Sequence, residues 1–470
     1  MAMTWRDYHE ATKHSVESLR RTPHVLHWEN MPDPFRHYEG VPVLDLPADP
    51  PAPGASALPA DGASFLSQLL YHSAAISATK LVPSTGFRYA LRVNPSSGNL
   101  HPTEFHFTTR GLKDWPDGLY HYRPSSHMAE QRAIGEFGIA GSAAPIVFIL
   151  TSIAWREEWK YRDRAYRYCL HDIGHAWQSL ALAAEAMGCD STAIVDFPDD
   201  EVARILRLNE DEWPMLILEL RGSSIPMSEP ETSDTVWYGG TANQLSKETI
   251  AYPRIDAIHA ATKRVVNSAV EPAPNGSGEI KLPLPAQSTR SFGEVVRSRR
   301  SALDFVGGTR SMTLPQLSAV LEAARPLLAF VQLYLYVHRV EGLAPGVYRF
   351  WPDQSELELI KTGDQRVVAA GLSLGQDLAG NACVAFSMIG DLERAARAHG
   401  DRGYRYVYFE AGAVGHRFYL AAQALGLGAT GIGAFYDEEV HRYLHVTPDQ
   451  GQVVYHFAIG YPVPDPRLQA

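Results

Sequence analysis

Two hydrophobic rhythms alternate along the chain. Residues 145–152 (PIVFILTS) form an almost unbroken apolar run, which predicts a strand buried on both faces. Residues 164–187 then place apolar side chains at helical spacing and end at Gly188, a good helix stop. Residues 215–222 (MLILELRG) return to the unbroken apolar run. The expected order is strand, long helix, strand, short helix, strand. The same order recurs 238 residues further on. From Asp163/Asp401 to Gly222/Gly460 the two stretches align without a gap and agree at 21 of 60 positions, including Arg164/Arg402, Tyr166/Tyr404, Arg167/Arg405, Gly188/Gly426, Phe197/Phe435 and Asp199/Asp437. A shorter echo upstream, GLYHYRP (118–124) against GVYRFWP (346–352), lies at an offset of 228. Self-similarity on this scale marks a duplicated domain.

A chain of 470 residues is also too long for one ordinary core. Two kinds of segment fall outside the repeat. PADPPAPGASALPADG (47–62) is rich in Pro, Gly and Ala and predicts an extended loop. Residues 225–285 are polar, broken by prolines and end in EPAPNGSG, so they are expected to link the halves. The expected division is a first domain over 1–224, a linker over 225–285 and a second domain over 286–470.

The halves differ in complementary ways. The first contains NPSSGNLHPTEFHF (94–107); the second has no counterpart, since only 47 residues separate Arg299 from Gly346 where 105 separate Lys13 from Gly118. The second contains GIGAFYDEEV (431–440); at the same repeat positions the first has AIVDFPDDEV (193–202), with Ala193 and Val195 in place of Gly431 and Gly433. Glycine permits close backbone approach to a ligand, which Val195 would block. Each half also opens on a basic-hydroxyl motif, KHSVE (13–17) and RRSALDF (299–305), able to hold phosphate by charge-assisted hydrogen bonds. This is the distribution that a pseudo-dimer with one composite site would need.

Composition narrows the function classes. A net charge of −11 argues against a broad nucleic-acid surface. Three cysteines without regular spacing indicate neither a disulfide framework nor a structural zinc site. The polar N-terminal stretch MAMTWRDYHEATKHS and the lack of any apolar run near ~18 residues give an expectation of a cytoplasmic protein with no membrane partner. His171-Asp172-Ile173-Gly174-His175 resembles a zinc-binding helix, but the acid is Asp and no third ligand is evident, so no metal is expected.

Taken together, RRS (299–301), PSSGNLHPTE (95–104), GLYHY (118–122), KYRDRAYRY (160–168) and GIGAFYDEEV (431–440) resemble the nitroreductase superfamily, most closely its SagB-type dehydrogenases. The resemblance implies an α+β fold, here two fused nitroreductase-like domains forming a pseudo-dimer, with FMN as cofactor. It implies that Arg299, Arg300 and Ser301 grip the phosphate and that Gly431, Ile432 and Gly433 approach the ring. Pro95, Ser96, Ser97, Gly98 and Asn99 would face ring and ribityl. The family's phosphate motif ends in a second basic residue; Leu303 and Glu17 stand there, and Arg467 is expected to supply that charge. Azole-forming relatives carry a Lys-Tyr pair that Lys160-Tyr161 matches, implying an acid–base role, and His101 stands where relatives often have Tyr. The implied activity is an FMN-dependent oxidation of a peptide-derived or small heterocyclic substrate, such as azoline to azole. The alternatives are an NAD(P)H-dependent reductase of nitro, quinone or conjugated-alkene substrates and a degenerate flavin-binding scaffold.

Overall fold

The computed structural model describes residues 3–21, 24–54, 58–230 and 234–469; residues 55–57 of the expected extended loop and 231–233 of the expected linker lie outside the described residues. The chain divides into two compact units, each assembled from non-contiguous stretches. The first takes Leu26–Ile255, Ser291–Arg297 and the C-terminal end from Leu468. The second takes the N-terminal segment up to Val25, Asp256–Arg290 and Ser298–Arg467.

The first unit is built on an eight-stranded antiparallel sheet. Its strands are β1 (Val43–Asp45), β2 (Thr103–Thr109), β3 (Gly118–Arg123), β4 (Met128–Ile134), β5 (Ile146–Ile153), β6 (Asp190–Ile194), β7 (Glu212–Arg221) and β8 (Val236–Trp237). The spatial order is β8-β4-β3-β2-β5-β7-β6, with β1 also on β4. β5 is central and every residue in it is buried, as its unbroken apolar run predicts. Helix α1 (Trp155–Tyr161) leaves β5 and leads through a short 3-10 turn into α2 (Ala165–Ala186), which covers the sheet. The end of α2 meets Gly188 at φ +74°, the left-handed conformation that closes a helix. Leu119, Ala133, Ile149, Phe197, Val202 and Ile217 lie in one core cluster of this unit.

The second unit repeats the plan. Strands β9 (Ile280–Lys281), β10 (Val331–Val337), β11 (Gly346–Trp351), β12 (Glu356–Thr362), β13 (Val384–Gly390), β14 (Gly428–Ile432) and β15 (Gln452–Gly460) run in the order β9-β12-β11-β10-β13-β15-β14. Apart from β1, which has no counterpart, this matches the spatial order of the first sheet. Helices α3 (Leu392–His399) and α4 (Gly403–Ala424) stand where α1 and α2 do. The expected linker is not featureless: it carries β8, the edge strand of the first sheet, and β9, the edge strand of the second. Among the described residues, no helix is long and apolar enough to cross a membrane.

Candidate functional site

In the first unit the turn Ser96–Leu100 sits at the entrance to β2, and α2 holds it. The Asp172 carboxylate on α2 accepts from the Ser96 hydroxyl (2.6 Å), the Ser97 hydroxyl (2.9 Å) and the Ser97 amide (3.0 Å). Two residues of the turn, Gly98 (φ +59°) and Asn99 (φ +60°), and His101 (φ +50°) just after it adopt left-handed backbone. Such conformations cost energy for residues other than glycine and persist only where the surroundings impose them. Here the imposing contacts are Asp172, the Asn99 side-chain Nδ2 donating to the Ala90 carbonyl (2.9 Å) and the His101 backbone amide donating to the Ser96 hydroxyl (2.8 Å).

The Lys-Tyr pair comes to the same turn. A Cβ placed on Gly98 would lie 2.8 Å from Tyr161 Oη and 3.0 Å from Lys160 Nζ. Both side chains belong to the last turn of α1, and Lys160 Nζ lies 5.3 Å from the centroid of the Tyr161 ring. Tyr161 packs on Tyr168 of α2 with ring centroids 4.1 Å apart. The geometry therefore joins the Pro95–Asn99 turn with Lys160 and Tyr161. It adds Asp172, which spacing alone presents only as the acid of a zinc-like helix. Its signal was available in the repeat, where position 410 is also an acid: Glu410 on α4 accepts from the amides of Phe330 (2.8 Å) and Val331 (2.6 Å) at the entrance to β10. Burial pushes Asp172 up to about 7 against the pull of its Ser96 and Ser97 donors, and burial pushes Glu410 up to about 8.

The second unit gathers a different set. The backbone of Ser301 bridges to Ala429 of β14, and the Ala302 amide donates to the Ala429 carbonyl (2.9 Å), so the basic-hydroxyl motif lies along the glycine strand. Tyr419 of α4 ties the parts together. Its hydroxyl shares a hydrogen bond with Ser301 Oγ (2.8 Å) and accepts from the Gly431 amide (2.9 Å), and its ring lies under the Arg299 guanidinium at 5.0 Å. Nothing in the spacing of the sequence points to Tyr419; position 181 in the first half is alanine. Arg299 is buried, and burial lowers its pKa, so an anion here would meet a cation that itself gains from the pairing. Guanidinium and hydroxyls are the donors a phosphate requires. Arg300 donates to the Arg299 carbonyl (2.5 Å). Ile432 turns its side chain into the core, so only its backbone can face a ligand. Arg467 forks onto Asp465 at 2.8 Å through both Nε and an Nη, and Lys13 pairs with Glu10 (2.7 Å) and Glu438 (2.6 Å).

Repeated antiparallel sheets, each backed by a long helix, define the class, and comparison with known proteins places the chain within it. The nitroreductase family model matches residues 73–222 and again 296–461, so the chain belongs to the nitroreductase family and carries its domain twice. A protein of Methanocaldococcus jannaschii named as a nitroreductase is 30% identical over 184 residues, covering 36% of this chain and 90% of that protein. The trifolitoxin operon protein TfxC of Rhizobium leguminosarum bv. trifolii is 29% identical over 161 residues, covering 34% of this chain and 44% of TfxC. The microcin B17-processing protein McbC of Escherichia coli is 25% identical over 146 residues, covering 28% of this chain and 54% of McbC. The chain thus spans about half the length of these last two relatives. A solved structure from Anabaena variabilis, described as a nitroreductase, superposes with a TM-score of 0.80 at 25% identity, covering 98% of this chain and 99% of that one.

Proposed function

We propose that the chain is an FMN-dependent dehydrogenase of a peptide-derived or small heterocyclic substrate, with azoline-to-azole oxidation as the type reaction. One observation carries the reading: Lys160 and Tyr161, two proton-transferring side chains, both reach Gly98 in the turn assigned to the flavin. Likeness to proteins named for microcin B17 and trifolitoxin supports a peptide-derived substrate. Bound FMN would supply the two-electron acceptor.

The chain's own residues divide the remaining work. Arg299, Arg300 and Ser301 would hold the phosphate, with Tyr419 fixing Ser301. The backbone of Gly431, Ile432 and Gly433 would approach the ring, with the Gly431 amide already engaged by Tyr419. Arg467 brings its charge already paired to Asp465 and contributes little to the phosphate. Pro95, Ser96, Ser97, Gly98 and Asn99 face ring and ribityl. Because the Ser96 and Ser97 hydroxyls donate to Asp172, they meet a ligand as acceptors, which suits the hydroxyls of a ribityl chain. Lys160 and Tyr161 move the proton that accompanies hydride loss from the substrate.

The purified chain is expected to carry one FMN, seen as the flavin absorbance. Arg299→Ala should lower FMN retention. Lys160→Ala combined with Tyr161→Phe should keep the flavin and slow oxidation of an azoline-containing peptide by about 10²–10⁴-fold, the usual range for a lost acid–base group. Unchanged turnover in that double variant would sink the reading. A second reading, NAD(P)H-dependent reduction of nitro, quinone or conjugated-alkene substrates, is favoured by the whole-chain likeness to a structure described as a nitroreductase. Rapid bleaching of the bound flavin by NAD(P)H, with no oxidation of azolines, would establish it instead.

A further inference from the structure

Glu157 lies on α1, one helical turn before Lys160, and is completely buried. Among the described residues, neither of its carboxylate oxygens has a hydrogen-bond partner. Buried polar groups are normally satisfied, and one that is not calls for a reason. The groups that act on it come from both helices. Asp172 on α2 opposes its ionisation, while Lys160 and Arg156 on α1 favour it, and the Cys169 thiol on α2 lies within its field. Burial first, then Asp172, push Glu157 well above the ordinary carboxylate range. Of the two acids, Asp172 has Ser96 and Ser97 donating to it and Glu157 has no donor, so the proton of the pair rests on Glu157.

The repeat supplies an independent observation. Arg156 is matched by Arg394 in the second half, but Glu157 is matched by Ala395, just as Lys160 is matched by Ala398. The orphaned acid occurs in the half that keeps the lysine and is absent from the half that has lost it. A purely architectural acid would have no reason to follow the lysine.

We propose that Glu157 is the proton partner of Lys160, a resident carboxylic acid that exchanges one proton with the amine at the Gly98 turn. When Lys160 is left as the free amine, its flexible side chain must first swing within hydrogen-bond reach of Glu157, which it does not touch at rest; the Glu157 O–H bond then breaks, an N–H bond forms at Nζ, and a carboxylate faces an ammonium. The return transfer restores the neutral pair, and no electrons change hands. Repulsion from Asp172 keeps the carboxylate form short-lived and sends the proton back. Glu157 is thus a positioning residue that sets the charge of Lys160, and the proposal rests on the acid–base role given to Lys160 above.

Infrared difference spectroscopy of the full chain tests it. At neutral pH the protein should show the carbonyl stretch of a protonated, non-hydrogen-bonded carboxylic acid, shifted in D2O. Glu157→Gln should remove the band, while Asp172→Asn and Glu410→Gln should keep it. In Lys160→Ala the pH at which the band bleaches should rise by about one to three units, because a nearby cation favours an ionised acid by that much. A Glu157 without charge coupling to Lys160 would leave the bleaching pH unmoved. The proposal falls if the wild type lacks the band, if Glu157→Gln retains it, or if the bleaching pH ignores Lys160. The readout needs no substrate, so a chain that shows the band and its Lys160 dependence, yet never oxidises an azoline, supports the proton pair and overturns only the substrate reading.

Discussion

Asp172 spends its carboxylate on a turn, not on the histidines beside it in the chain. The sequence presents His171 and His175 four apart with an acid between them, and that spacing cannot say which way the acid points. The structure gives the acid three donors from Ser96 and Ser97 and leaves Gly98, Asn99 and His101 in left-handed backbone behind them. Removing the acceptor should therefore free the turn. Above pH 7, where the carboxylate is ionised, Asp172→Asn is expected to loosen the turn, since the asparagine nitrogen turns a donor toward donors. Amide exchange over residues 95–101 should quicken in the same variant. The charge has its own signature. Asp172 titrates near 3.8 in the unfolded chain and near 7 when folded. Between those values the folded state keeps a proton that the unfolded state has lost, so stability falls as pH rises through the window. Urea unfolding across that range should show a flatter slope in Asp172→Asn than in the wild type; an identical slope would mean the carboxylate is not buried as described.

Elements were easier to read than residues. The unbroken apolar runs became β5 and β7, and the helical spacing closed by Gly188 became α2, because burial on both faces and burial of one stripe leave different periods in a sequence. The edge strands β8 and β9 left no such trace. Each is two residues long in a polar stretch, and its place is fixed by pairing to a distant strand. The glycine strand shows how one residue can answer to two causes. The sequence sets Gly431 apart from Ala193 on the expectation of ligand approach, yet a Cβ there would stand 2.0 Å from Tyr455 Oη and 3.2 Å from Phe457. Strand pairing also differs between the halves: Gly431 faces Phe457, whereas Ala193 faces Leu218, one residue out of step with the repeat. The repeat position of Tyr455 in the first half is Ile217, which has no hydroxyl. Gly431→Ala is accordingly expected to destabilise by about 1–3 kcal/mol through overpacking. In a Tyr455→Ile background the same substitution should cost less, with a coupling of about 1 kcal/mol in the double-mutant cycle. Additive effects would leave ligand approach as the sole reason for the glycine.

At the scale of the whole molecule, the linear repeat and the compact units do not share boundaries. An offset of 238 residues can be counted along the chain, but no local pattern says that the first helix belongs with residues almost 400 positions away. The contacts say so. The helix Trp5–Ala11 is capped by Thr4 and Asp7 in a capping box, and the Trp5 amide donates to Asp401 Oδ1 at 2.8 Å. Trp5 stacks on Tyr404 at a centroid distance of 6.4 Å, and Tyr8 meets the same ring edge-on at 5.9 Å. Further on, the His14 amide donates to Asp437 at 2.8 Å. Trp5 and Tyr8 are buried in the second unit, and each large apolar side chain so buried is worth about 1.5–3 kcal/mol. Deleting residues up to Arg21 should therefore lower the stability of the second unit by about 3–6 kcal/mol, the sum for those two side chains. Because Tyr404, Asp401 and Asp437 flank α4 or lie within it and the segment that follows, hydrogen exchange should quicken there first. The strands β2 to β7 lie in the other unit, so their exchange should be unchanged. Exchange that quickens in those strands while α4 stays protected would show that the N-terminal helix belongs to the first unit, as simple chain order would have it.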